Sequence, residues 1–253
     1  MLTFTEAQVL AWITPLLWPF LRALALFTAL PVLGTRAVPA RVRVALAAFI
    51  AFVAQPLIPV APEVPLDSPV AFLMAAQQVF IGLTLGFCVR LVFAAVEFAG
   101  ELVGLQMGLN FAAFFDPITA STATTTSRFF GTIIALLFVV GNGHLVVIGA
   151  LVQSFNVFPV TPEPLAFLER IQPQRLGGDI FAIGLWIALP LITMLLLVNL
   201  VLGVISRVAP QINIFAIGFP VTLSVGLLGL LLTLPWLQAP FEMALTRVLA
   251  QFQ

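Results

Sequence analysis

Apolar residues run along this chain in long blocks separated by charged or Pro/Gly-rich stretches. The blocks are Val9 to Leu33, Val44 to Val60, Val70 to about Ala99, Phe129 to Val152, Ile180 to Ile205 and Ile214 to Leu237. A bilayer-spanning helix needs about 20 predominantly apolar residues, so each block is long enough to cross hydrocarbon, the second only marginally. The pattern predicts an all-α chain: one hydrophobic helical domain over residues 1–253, with about six spans and too little left over for an appended soluble domain. The third block does not stop at Glu97 and Glu101 but resumes through Leu102 to Phe115, which predicts an irregular stretch and not one clean span.

Prolines stand inside or beside these blocks, at Pro15, Pro19, Pro31, Pro56, Pro190, Pro220 and Pro235. In lipid each frees a carbonyl that needs another donor, so bent and broken helices are expected. The small-residue sets Gly82/Gly86 and Gly100/Gly104/Gly108, at four-residue spacing, permit close helix approach.

Composition decides what covers these helices. The chain has 253 residues, 62% hydrophobic and 8% charged, with a mean hydropathy of +1.18. An ordinary globular domain carries about 25% charged residues, so this chain cannot coat itself for water, and most of its outside must face lipid or protein. Its cations are all Arg and equal the acids in number, for a net charge of zero. No basic field is present to attract nucleic acid. The single Cys88 can form no internal disulfide and no cysteine-rich metal site. No basic residue precedes Arg22, so the first block lacks the charged start of a secretory signal and is expected to be retained. Counting Arg near span ends puts Arg36, Arg41, Arg43, Arg128 and Arg207 on one side and Arg170, Arg175 and Arg247 on the other. That bias places the first loop in the cytoplasm and both termini outside.

Charges inside apolar blocks are costly and point at partners or water. Arg22, Arg90, Glu97 and Glu101 are of this kind. Arg90, Glu97 and Glu101 share one helical stripe, being separated by seven and four residues. The stripe reads either as a polar lining or proton relay, or as ion pairs within or between subunits that neutralise buried charge. Arg207, just before Ala209-Pro210, reads either as a charge neutralising helix-end carbonyls or as an inter-subunit ion pair. Asn142-Gly143-His144, in the middle of the fourth block, predicts a break into two shorter helices, with His144 also a candidate protonatable switch. No metal-ligating His pair, phosphate loop or nucleophile elbow nominates an enzyme, and no cofactor is implied.

The stretch from Gly100 to Arg128 sets Met107, Phe111, Phe114 and Phe115 beside the small residues Gly108, Ala112 and Ala113. Asp116-Pro117 then ends any helix. A Ser/Thr-rich run follows, whose irregular backbone must be sheltered by protein or face a watery cavity. Two readings stand on the residues alone: a loop with an amphipathic lead-in that sits at the interface, or a plug or constriction loop over residues 106–128 that closes a pore by excluding water.

The runs G-L-Q-M-G-L-N-F-A-A-F-F-D-P at 104–117, N-G-H at 142–144 and R-V-A-P-Q-I-N-I-F-A-I-G-F-P at 207–220 resemble the flagellar biosynthetic protein FliR family and its injectisome counterparts. W-P-F-L-R-A-L-A-L at 18–26 and R-A-V-P-A-R-V-R at 36–43 extend the likeness, which covers about residues 12–241. The resemblance implies a subunit of the type III export gate in the bacterial inner membrane, within the flagellar basal body. Such a subunit assembles with FliP and FliQ, contacts FlhB and passes unfolded flagellar proteins. It also implies helical hairpins raised largely out of the bilayer plane, in place of six simple spans. The segment from Phe111 to about Thr126 would then be a plug, with Met107, Phe111, Phe114 and Phe115 forming the constriction and Asp116-Pro117 its turn. Deleting that segment is expected to make the assembled gate leak. A small-molecule secondary transporter with a midplane site predicts an internal repeat and converging polar ligands, and the chain shows neither clearly.

Overall fold

A computed structural model describes residues 6–59, 62, 64–65, 67–109, 124–163, 165, 167, 173–211 and 213–253. The described chain is all-helical: α1 (Glu6–Ala29), α2 (Ala40–Ala54), α3 (Pro69–Gln106), α4 (Thr125–Val140), α5 (Gly143–Val157), α6 (Pro173–Val208), α7 (Ile214–Thr233) and α8 (Gln238–Leu249), with short 3-10 turns such as Gln55–Leu57. Among the described residues, four helices are long and apolar enough to cross a membrane: Ala40–Leu57, Pro69–Gln106, Gly177–Val208 and Ala216–Trp236.

Two expectations are corrected. Four of the prolines do not interrupt their helices, since α1 continues through Pro15 and Pro19, α6 through Pro190 and α7 through Pro220, whereas Pro31 follows the end of α1 and Pro56 and Pro235 stand in the 3-10 turns that end α2 and α7. The third block is not irregular up to Gln106 either; it is one helix of 38 residues, about 57 Å long at 1.5 Å per residue. Such a helix overruns the roughly 30 Å hydrocarbon core. The predicted break at Asn-Gly is present: α4 ends at Val140, Asn142 takes a left-handed conformation (φ 57°), and α5 starts at Gly143. An αL residue stops an α-helix because it turns the next amide away from the i−4 carbonyl.

The chain divides into two compact units. The first comprises Met1–Leu91, Asn142–Leu176 and Leu245–Gln253. Its core gathers Trp18, Ala71, Met74, Phe155 and Val160, and Phe158 meets Phe167 and Phe252 edge-on at 6.4 and 6.0 Å. Here α3 approaches α1 through Gly82 and Gly86. A methyl on Gly82 would overlap the Arg22 carbonyl, and one on Gly86 would come within 2.5 Å of the Ala29 methyl and 2.9 Å of the Leu26 carbonyl oxygen.

The second unit comprises Val92–Gly141 and Gly177–Ala244. Phe93, Phe138 and Phe241 form a triangle of edge-to-face rings at 5.5, 5.7 and 6.5 Å. Gly184 of α6 lies against Ala95 and Phe98, and Gly229 of α7 against Met194 and Leu191. Within this unit α3 and α4 run antiparallel: Gly104 meets Thr126, Gly100 meets Phe130, and Gly131 meets Glu97. Gly82 and Gly86 in one unit and Gly100 and Gly104 in the other therefore serve close packing, while Gly108 lies beyond the end of α3.

Candidate functional site

The sequence points to the segment after α3, and its described borders are well defined. α3 ends because Gly108 adopts φ 77°, which costs glycine little. The Gly108 amide then donates to the Leu105 carbonyl and the Leu109 amide to the Gly104 carbonyl, each at 3.1 Å, closing a Schellman cap. The helix thus stops well before Asp116-Pro117. On the far side, Thr124 caps α4 by accepting from the Ser127 amide at 3.1 Å, and its hydroxyl lies 3.2 Å from that of Thr126. The Ser/Thr run is accordingly helical from Thr125 onward, with Thr126 and Ser127 buried.

These borders are tied to each other and to α7. Thr126 fills the space left by Gly104, where a methyl would overlap its hydroxyl oxygen. Met107 is fully buried, and its thioether occupies the notch at Gly226, where a methyl would meet Cγ at 2.5 Å and Sδ at 2.7 Å. Phe111, Phe114, Phe115, Asp116 and Pro117 lie outside the described residues.

The charged candidates fall in different surroundings. Arg22 is fully buried and held inside the first unit by neutral acceptors. Its Nε donates to Gln78 Oε1 at 2.8 Å, one terminal nitrogen to Ser154 Oγ at 2.9 Å and the other to the Phe158 carbonyl at 2.8 Å, while the guanidinium carbon sits 3.7 Å from the Phe155 ring centroid. The network extends: Gln78 Nε2 donates to Gln77 Oε1 at 2.8 Å, Gln77 Nε2 to Thr161 Oγ1 at 2.7 Å, and Ser154 Oγ to the Leu151 carbonyl at 2.6 Å. Sequence reasoning missed this cluster, although two adjacent glutamines in an apolar block were its visible sign. Arg90 and Glu97 are exposed and Glu101 is half-buried. Glu97 lies over Gly131, where a methyl would come 2.9 Å from its carboxylate oxygen. Arg207 is exposed in the last turn of α6, where a cation complements the helix-end carbonyls. His144 stands in the first turn of α5, and its Nδ1 is buried with no hydrogen-bond partner among the described residues.

A family model described as Bacterial export proteins, family 1, matches residues 13–248. This chain belongs to that family. The chain is similar to the flagellar biosynthetic protein FliR of Escherichia coli strain K12, with 46% identity over 95% of this chain and 92% of the relative. The protein of the same name from Pectobacterium carotovorum is 43% identical over 93% and 90% of the two chains, and that of Aquifex aeolicus 34% identical over 87% and 85%. The matched region takes in every described candidate residue of the family's likeness, from Arg22 to Arg207. Among the described residues, no group of three or more His, Cys, Asp and Glu side chains could hold a metal ion.

Proposed function

We propose that this component of the flagellar export apparatus lines a closed channel through which unfolded flagellar proteins pass, assembled with FliP, FliQ and FlhB relatives in the bacterial inner membrane. The observation that supports the reading is the pinched base of the segment carrying Phe111, Phe114, Phe115 and Asp116-Pro117. Gly104 on one side touches Thr126 on the other, and Met107 is anchored in α7 at Gly226. A stretch whose two ends are fixed at one place can be presented to a channel without loosening the helices that bear it.

A closed gate must hold back ions yet admit chains of any sequence. A narrow apolar collar does this by dewetting, without fixed charges that would retain substrate. Phe side chains supply apolar bulk, and neighbouring alanines leave them room to reshape around a passing chain. Met107 belongs to the anchor in this reading, since its thioether is engaged within its own unit. The in-span charges Arg22, Arg90, Glu97, Glu101 and Arg207 serve pairing and subunit contacts, Arg22 through its own chain. The sequence contains no nucleotide-binding loop, so partner machinery supplies the energy of transport.

The test is crosslinking. A photo-reactive residue at Phe111 or Phe114 should capture a flagellar substrate stalled during export, whereas one at Leu231, exposed on α7, should not. Failure of both positions to capture a stalled substrate contradicts the reading. Loss of motility and of filament secretion on deleting the chain distinguishes flagellar export from injectisome export.

A further inference from the structure

Helix α2 is inverted relative to a water-facing helix. Its buried residues are the small ones, Ala47, Ala51 and Ala54, which form one face. Its bulk points outward: Phe49 is 63% exposed, Phe52 68%, and Leu57, in the 3-10 turn that continues it, 66%. An apolar face of this kind needs an apolar neighbour.

One end of that face is cationic. Arg36, Arg41 and Arg43 lie within eight residues of one another, and no acidic residue occurs between Ala7 and Pro62. Arg36 and Arg41 are exposed. Arg43 donates to the Val38 carbonyl at 3.3 Å, but its Nε is buried without a partner. Among the described residues no ion pair is recorded for any of the three. The helix N-terminus adds to the positive end, because Pro39 occupies the cap position and no side chain caps the first turn. Glu63 and Asp67 follow the block in sequence, so the acids come only after the apolar run has ended.

We propose that this end of α2 binds the phosphodiester headgroup of an anionic phospholipid, with Phe49, Phe52 and Leu57 lying along its acyl chains. The order of chemistry along the helix favours lipid: guanidinium groups at the headgroup, then an unbroken apolar face. The apolar span Ala40–Leu57 has 18 residues, about 27 Å, close to the roughly 30 Å hydrocarbon thickness. With α2 spanning a bilayer, headgroup phosphates would lie beside the arginines at its start, whereas a protein partner would have to place its own acids there. Guanidinium suits the task because it grips two phosphate oxygens at once. Helix α7 is a built-in contrast, more apolar and outward-facing at Leu231 and Leu232 but without a charged residue between Val208 and Phe241. The inference rests on the chain's being a membrane protein and is independent of the channel reading.

The experiment uses the full chain, co-expressed with its partner subunits. The complex is equilibrated with mixed vesicles of equal phosphatidylglycerol and phosphatidylethanolamine and washed in detergent, and retained lipids are counted by mass spectrometry. The wild type should retain phosphatidylglycerol on the order of five-fold over phosphatidylethanolamine, since each arginine near an anionic surface adds attraction. The Arg36→Gln/Arg41→Gln/Arg43→Gln variant should fall to parity, and the corresponding triple Lys variant should keep a reduced preference. If the triple Gln variant fails to fold, Arg36→Gln alone, in the loop before α2, should still lower the preference by about two-fold. Parity in the wild type, or an unchanged preference in both Gln variants, overturns the proposal. So does loss of a co-purifying subunit with lipid preference intact, which would make the surface a protein interface. Displacement of the lipid by excess inorganic phosphate would also overturn it, by showing a plain anion site.

Discussion

The two halves of α3 use the same device, glycines four residues apart, against different kinds of neighbour. At Gly82 an added methyl meets the carbonyl of Arg22 and the methyl of Ala25, mostly backbone that has nowhere to go. At Gly104 every atom it meets belongs to the side chain of Thr126, and at Gly226 to the side chain of Met107. The first joint is further locked by the Arg22 network, whereas the second borders the proposed plug. Identical spacing in sequence therefore sets Gly82 against backbone and Gly104 against a side chain, although Gly100 in the second joint also meets the Thr126 carbonyl at 2.9 Å.

Substitutions at four positions, one with a second-site rescue, probe that contrast in descending order of expected effect. Arg22→Ala strands Gln78, Ser154 and the Phe158 carbonyl in an apolar interior and should cost about 3 kcal/mol or more, seen as loss of folded protein in thermal unfolding in detergent. Arg22→Lys should recover only part, because an ammonium cannot reproduce the planar fork. Gly82→Ala should cost about 2 to 3 kcal/mol by overpacking against backbone. Gly104→Ala should cost about 1 to 2 kcal/mol, and Thr126→Ala in the same chain should restore most of it by removing the opposing hydroxyl. Gly226→Ala should cost less than about 1 kcal/mol, since Met107 can re-route its thioether. A larger loss from Gly104→Ala than from Gly82→Ala, or no rescue by Thr126→Ala, would break the comparison.

Local features were legible in the sequence, and features that depend on distant partners were not. The apolar blocks became helices, Asn142-Gly143 became a break, and Gly82, Gly86, Gly100 and Gly104 became contacts, because length, backbone preference and side-chain size act locally. The Arg22 cluster joins residues 56 and 132 positions apart, a pairing no spacing rule reveals. Pro15, Pro19, Pro190 and Pro220 suggested breaks where the helices continue, since a single missing amide is tolerated when neighbouring turns hold. Glu97 and Glu101 made α3 look irregular, yet Glu97 sits over Gly131, which leaves it room without bending the helix. The helix stop read at Asp116-Pro117 lies outside the described residues, and the stop that Gly108 gives α3 through its positive φ was missed. Helix α8, with Phe241 in the aromatic triangle, went unread because its apolar residues are too few to form a block.

The same borders sharpen the test of the gate itself. Removing Phe111 to Thr126 would also remove the Thr124 cap and the Thr126 contact with Gly104, so the cleaner change replaces residues 111–121 by a Gly/Ser linker of equal length. Ion conductance of membranes containing the assembled complex with that replacement is the most direct measurement. A steady leak, absent in the wild type and in Gly226→Ala, is the predicted result. Conductance no higher than that of the wild-type assembly, with the complex intact, would contradict the claim that this segment closes the channel.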